Sequence, residues 1–229
     1  MVNKDNKYTN MQKNAYAGGT TNHEEHNLNP DYWEILLGDL QDKEKWDGKV
    51  ALDFACGKGR NITNMFNLCD WKRVDGIDIS NYNIESNKVM YLQQNSNWYC
   101  NNGIDVSELK NDEYDFITST IALQHIPVYD IRKNLITDLL RTLKSGGLFS
   151  FQMGYGSDLN SQLGPRSSYF ENVYDAQNTN SVYDVRIQNV EDVIKDLTEI
   201  GFTNITTKIR ESYSDSGHPQ WIYVKAYKP

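Results

Sequence analysis

An α/β fold, a mostly parallel sheet with helices on both faces, is what this sequence predicts, and three observations predict it. From Lys49 onward, short apolar runs alternate with segments of helical periodicity. The first run ends in a glycine-rich turn, Cys56-Gly57-Lys58-Gly59, where a strand would feed a helix. Near the C-terminus the alternation gives way to two consecutive strand-like runs. Repeated strand–helix units pack as parallel sheets, because right-handed crossovers return each strand beside its neighbours.

Residues 1–29 are rich in Asn, Lys, Gly and Thr and read as a flexible arm or lid. Pro30 then permits a helix start, and Trp33, Leu36, Leu37 and Leu40 supply its apolar face. Residues 50–54 form a continuous apolar run, as a buried strand requires. Ile62, Met65, Phe66 and Cys69 follow at one helical face. Residues 74–79 read as the second strand, and Ser80 as the N-cap of a helix carrying Ile84, Tyr91 and Leu92. Residues 98–100 and 116–121 are the third and fourth strands. Ile131, Leu135, Ile136, Leu139, Leu140 and Leu143 make the next helical face, stopped by Ser145-Gly146-Gly147, and residues 148–153 are the fifth strand. A helix over about 190–200 closes at Gly201. Residues 205–210 and 221–227, joined by a short polar loop, should pair as an antiparallel hairpin. The expected architecture is a doubly wound, seven-stranded sheet, with residues 30–229 as one domain. Residues 154–188 fit no period and hold Tyr155, Tyr169, Phe170, Tyr174 and Tyr183; an insertion of this length is expected to be functional, as a cap.

Composition narrows the function. The 229 residues carry a formal net charge of −8 and show no basic stripe, which disfavours nucleic acid as a partner. No run approaches the ~18–20 apolar residues that cross a bilayer, and residues 1–13 lack the apolar core of a signal peptide. Three cysteines, Cys56, Cys69 and Cys100, form neither a close pair nor a metal-ligand pattern. A reduced, cytoplasmic setting is the simplest expectation, and no metal is expected. His23-Glu24-Glu25-His26 is the one stretch able to chelate a cation in principle; a solvated polar segment is the plainer reading.

The chemistry concentrates at Asp53-Phe54-Ala55-Cys56-Gly57-Lys58-Gly59-Arg60. Glycines at a strand-to-helix turn let backbone approach a ligand, and open parallel sheets bind ligands beyond the strand C-terminal ends. Asp53 places a carboxylate at the strand end. Asp78, 19 positions after Gly59, closes the second strand, where an acid can accept both hydroxyls of a ribose. A nicotinamide-dinucleotide fingerprint would have its third glycine at position 62, where this chain has Ile62. The pattern therefore favours a nucleoside without a pyrophosphate.

These residues resemble motif I of the class I S-adenosylmethionine-dependent methyltransferases, a Rossmann-like family. Val74-Asp75-Gly76-Ile77-Asp78-Ile79-Ser80 is similar to that family's second strand with its ribose-binding acid. Residues 114–126 resemble its fourth strand and following turn, Leu143-Lys144-Ser145-Gly146-Gly147 its turn before the fifth strand, and Gly201-Phe202 its late Gly-Phe. The resemblance covers roughly residues 45–153 and 188–228. It implies S-adenosyl-L-methionine as cofactor, with Gly57 and Gly59 at the methionine end, Asp53 near the ammonium, and Asp78 on the ribose. It further implies Ile79 against the adenine, Asn102-Gly103, with Asp105 as a rival, and the Ile104 backbone at the adenine edge, and Thr120 beside the methionine portion. Arg60 is a candidate for the cofactor carboxylate, and Tyr16 and Trp33 are candidates for a lid; ordinary surface or packing roles are their alternatives. Cys56 reads as a loop filler and not as a nucleophile. His125 and Tyr155 are the candidate catalytic residues, His125 at a motif position and Tyr155 just after the fifth strand. The expected activity is methyl transfer to N or O of a small molecule by a monomer or homodimer. The rival reading is a non-catalytic protein that binds S-adenosylmethionine or S-adenosylhomocysteine as a partner or regulator.

Overall fold

The computed structural model describes residues 4–20, 31–38, 40–159, 165–175, 184–212 and 218–229. Its strands are β1 (Val50–Phe54), β2 (Arg73–Asp78), β3 (Trp98–Cys100), β4 (Tyr114–Thr120), β5 (Leu143–Tyr155), β6 (Ser167–Ser168), β7 (Val185–Arg186), β8 (Thr203–Glu211) and β9 (Gln220–Tyr227). Seven of them form one sheet in the order β3-β2-β1-β4-β5-β9-β8. β1 to β5 pair in parallel, and β9 runs antiparallel to both β5 and β8. The expected seven-stranded sheet with its C-terminal hairpin is therefore present, and β9, not β8, is inserted beside β5.

Helices are α1 (Lys4–Ala15), α2 (Tyr32–Leu37), α3 (Arg60–Leu68), α4 (Asn81–Met90), α5 (Tyr129–Thr142) and α6 (Val190–Ile200). They cover both faces, and the pleat explains how. Alternate residues of a strand face opposite sides, so Val50, Leu52 and Phe54 join one core with Leu135, Leu139, Val193 and Leu197. Ala51 joins the other core, with Ile62 and Met65 from α3 and the stacked Trp46–Trp71 pair. β1 is buried along its whole length, which is why it reads as apolar sequence broken only by the buried Asp53.

Several elements depart from the sequence expectation. Leu143 pairs with Tyr114, so α5 ends at Thr142 and the glycine turn lies within β5. Leu92 lies beyond α4 and is 77% exposed, while Tyr91 stacks on Trp98. α2 ends at Gly38, whose backbone is left-handed, so Leu40 belongs to a separate turn. Pro30 and Tyr183 lie outside the described residues, as does the His23–His26 stretch. Within the 154–188 region, β6 and β7 pair in parallel, and Gly154, Gly156 and Ile187 exchange backbone hydrogen bonds that tie the cap to the end of β5.

The largest departure is α1, which lies where a flexible arm is expected. Its apolar content is too small to show a period: Tyr8 carries most of the burial, being 1% exposed within the main core, and its ring meets Tyr174 edge-on. Gln12 donates to the Tyr8 hydroxyl at 2.6 Å and to the His125 carbonyl at 3.3 Å. One aromatic side chain thus anchors the helix. Tyr8→Ala removes packing worth about 3 kcal/mol, felt by this helix. Trypsin cleavage after the exposed Lys13 should accelerate by more than about tenfold; an unchanged cleavage rate would show that the helix is held by other contacts.

Candidate active site

A cavity of about 650 Å³ opens at the C-terminal ends of β1, β2 and β4, within the range of small-molecule sites. α1 and the following turn roof it through Tyr8, Gln12, Tyr16 and Thr20; residues of the cap and of the segment after β4 close the far end.

At its near wall the glycine turn sets the backbone. Gly57 has φ +51, and a side chain there would press on the Thr20 hydroxyl at 2.9 Å. Gly59 also has a left-handed backbone, as the N-cap of α3, but a Cβ on it would run into the Tyr91 ring. Gly59 does not line the cavity: it is a packing position under Tyr91, not the ligand contact expected. Two non-glycine residues beside the cavity, Ala55 (φ +58) and Ile121 (φ +55), also adopt left-handed backbone. Such conformations cost on the order of 1–3 kcal/mol each and cluster at functional sites.

Asp78, 4% exposed, organises this wall. Its Oδ2 accepts from the Gly57 amide at 2.8 Å and its Oδ1 from the Ser80 amide at 2.8 Å. Oδ1 also accepts from Asn83 Nδ2 at 3.5 Å; a carboxylate offers about four acceptor positions, so Oδ2 keeps capacity toward the cavity. Burial raises the Asp78 pKa, opposed by those amide donors. The Ser80 hydroxyl donates to the Tyr16 carbonyl at 2.7 Å, joining this wall to the roof.

Asp53 stands one layer behind the cavity. Its Oδ1 accepts from Asn61 Nδ2 at 3.0 Å, and the same amide nitrogen reaches the Thr120 hydroxyl at 3.0 Å. Arg60 Nη2 donates to that hydroxyl at 2.9 Å and to Tyr32 at 3.2 Å. Asp53 Oδ2 and Asn61 Oδ1 are buried without a hydrogen-bond partner. Asn61 lines the cavity with Asp53 behind it, so this pair is a place for a cationic donor, since leaving such acceptors unmet costs about 1–3 kcal/mol each. Burial raises the Asp53 pKa to about 7, against the lowering effects of Asn61 and Arg60.

The residues brought together by the cavity are Tyr16, Gly57, Arg60, Asp78, Ile79, Gly103, Thr120 and His125 from the sequence reading. Others are placed elsewhere. Asn102 turns away: its Oδ1 accepts from the Ile104 and Asp105 amides at 2.7 and 3.0 Å, closing its own turn, and Ile104 is consumed in the same turn. The neighbouring Asn101, 5% exposed, lines the cavity in its stead. Trp33 packs in the second core against Tyr32, because α2 lies over β5 and β9. Tyr155 continues β5, pairs with Gln220 and packs on the main core, so it lies outside the cavity wall. Tyr169 donates to Asp196 at 2.9 Å in the core.

At the far end, His125 Nδ1 lies 2.6 Å from Asp184 Oδ1, and His218 Nε2 lies 3.1 Å from Asp184 Oδ2. Burial opposes a charged His125, but the Asp184 charge and hydrogen bond outweigh it and raise its pKa. Asp184 is lowered: His125, His218 and Arg166 overcome its burial. The partnership of His125 with Asp184 spans 59 residues and leaves no local pattern, which is why the sequence yields the histidine without its partner.

Comparison with known proteins bears on the fold. Residues 52–151 match the family described as "Methyltransferase domain". No curated protein matches the chain. Among solved structures, it is similar to the N-methyltransferase NodS of Bradyrhizobium japonicum in complex with S-adenosylhomocysteine (16% identity, TM-score 0.62, covering 98% of this chain and 100% of that one). It is also similar to a SAM-dependent methyltransferase of Methanosarcina mazei (16% identity, TM-score 0.62, 82% of this chain and 96% of that one). A third is the phosphoethanolamine N-methyltransferase 2 of Haemonchus contortus (14% identity, TM-score 0.58, 92% of this chain and 60% of that one).

Proposed function

We propose that this chain, which has the class I S-adenosylmethionine-dependent methyltransferase fold and a methyltransferase domain over residues 52–151, methylates N or O of a small molecule. The observation that carries the reading is one cavity lined by Asp78, by Asn61 with its orphaned acceptor and Asp53 behind it, and by the His125–Asp184 pair.

S-adenosyl-L-methionine, when bound, supplies a methyl group already activated on a sulfonium. Asp78 receives the ribose hydroxyls, Ile79 and Gly103 flank the base, and Asn101 serves the adenine edge. Asn61, backed by Asp53, accepts from the ammonium, and Arg60 with Thr120 faces the amino-acid carboxylate. Tyr16 and the α1 roof exclude water. Alignment of donor and acceptor contributes most of the rate, as much as ~7–11 kcal/mol. His125 takes the proton that the acceptor releases: Asp184 occupies Nδ1, so Nε2 is the nitrogen left for substrate. The two N-methyltransferases among the structural neighbours support an amine acceptor. Among the described residues no helix is long and apolar enough to cross a membrane. A cytoplasmic small-molecule enzyme, monomeric or homodimeric, is the setting we assign.

The test is formation of S-adenosylhomocysteine, followed by mass spectrometry, from S-adenosylmethionine and a panel of amines and alcohols. Turnover with one of them is expected; cofactor binding with no turnover by any would instead favour a non-catalytic partner protein.

The buried carboxylate adds a second prediction. Asp53 titrates near 7, and an ammonium beside it favours the ionised form. Binding of S-adenosylhomocysteine at pH 7 should therefore release about half a proton, and affinity should rise with pH through 7 and then level off. Calorimetry in buffers of different ionisation enthalpy measures this. Asp53→Asn should abolish most of the release; proton uptake on binding would reverse the assignment.

A further inference from the structure

Resting on that reading, the structure points to the chemical class of the acceptor. Arg166 lines the far end of the cavity beside His125 and Asp184. Its side chain is only 2% exposed, and its Nε is buried without a partner. Its one anionic partner among the described residues, Asp184, is 3.8 Å from Nη1, beyond hydrogen-bonding distance. That carboxylate is already engaged by His125 at 2.6 Å and His218 at 3.1 Å. A guanidinium carries five N–H donors in a planar fork, and burying such a group unsatisfied is costly. The cavity is the direction in which these donors can be met.

The position is built by the cap. Arg166 precedes β6, Asp184 precedes β7, and the pairing of the two strands sets the residues side by side, with the Ser167 amide donating to the Asp184 carbonyl at 2.9 Å. The Arg166 amide is itself fixed by the Leu159 carbonyl at 2.7 Å. The backbone that carries the guanidinium is therefore fixed on both sides.

We propose that the acceptor carries an anionic oxygen group, a carboxylate or a phosphate, and that Arg166 binds it while His125 faces the atom to be methylated. Planar, bidentate recognition of such oxygens is what arginine does and lysine does not. Arg166 is thus a specificity residue: it selects acceptors by charge and fixes their orientation.

The test uses the full chain saturated with S-adenosylhomocysteine. Sodium acetate, inorganic phosphate and acetamide are titrated separately, and binding is read at the Cε1 proton of His125 by NMR. Acetate or phosphate should bind at least tenfold more tightly than acetamide, which matches acetate in shape without its charge. Preference for acetate identifies a carboxylate acceptor, and preference for phosphate a phosphorylated one. Arg166→Gln should reduce the preferred anion to the level of acetamide, and Arg166→Lys should retain only part of the difference. Equal binding of all three probes to the wild-type protein, or no binding of any, overturns the proposal without recourse to a variant. Failure of S-adenosylhomocysteine to saturate the protein would instead count against the cofactor reading, and the same titrations on the free protein would then judge Arg166 alone.

Discussion

Methyl transfer by His125→Ala is expected to fall by about 10²–10⁴-fold, the range in which a positioned base contributes, with affinity for S-adenosylhomocysteine little changed. The reason is geometric: the His125 ring is held by Asp184, whereas the Asp78 carboxylate is held by the Gly57 and Ser80 amides, so the substitution leaves the Asp78 wall intact. The pH dependence supplies a sharper form of the prediction. His125 is raised above its ordinary value by Asp184. A base works unprotonated, so the rate should climb with pH through a value above the usual ~6.5 of histidine. Asp184→Asn removes the charge that outweighs burial; His125 should then titrate below ~6.5, and the rising limb should move to lower pH. Its maximal rate should also fall, because the amide can present an N–H to Nδ1 and leave the ring in the wrong tautomer. NMR titration of the ring reads the shift directly, with no acceptor needed. An unmoved titration in Asp184→Asn would separate the two residues and end the case for His125 as a held base.

Asp78→Ala should weaken S-adenosylhomocysteine binding by about 100-fold or more. Two hydrogen bonds from ribose hydroxyls to a charged acceptor contribute about 1.5–3 kcal/mol each, and 1.4 kcal/mol is tenfold. The carboxylate also accepts from the Gly57 and Ser80 amides, so its loss slackens the glycine turn and the start of α4 together. Asp78→Asn retains an acceptor oxygen and should lose closer to tenfold. Ser80→Ala offers the contrast: it removes the link to the Tyr16 carbonyl and the α4 cap while leaving the ribose acceptor in place. If its loss equals that of Asp78→Ala, Asp78 acts by holding the wall and not by touching ligand.

The sheet was readable because its central strands are buried in a way that leaves a trace. β1 is apolar but for Asp53, and the glycine turn marks where it feeds α3. Asp78 was legible for a related reason: a carboxylate ending an apolar strand has few explanations other than a ligand or a cap, and here it meets two backbone amides while still facing the cavity. What stayed hidden depends on contacts between distant segments. α1 carries no apolar period, and its place is set chiefly by Tyr8, with Gln12 bonded to the His125 carbonyl. Asn101 and Asn102 differ by one position in a turn, and only the turn's own hydrogen bonds decide which lines the cavity. Gly59 looks like a ligand contact until Tyr91 is seen against it. Arg166 and Asp184 belong to a segment without periodicity, and the β6–β7 pairing alone brings them to His125.

The most direct test of the central claim is a calorimetric titration of the wild-type chain with S-adenosylhomocysteine and, separately, with NADH. A saturable heat with S-adenosylhomocysteine, competed away by S-adenosylmethionine, and no saturable heat with NADH is the predicted result. Absence of nucleoside binding, or tighter binding of NADH, would contradict it.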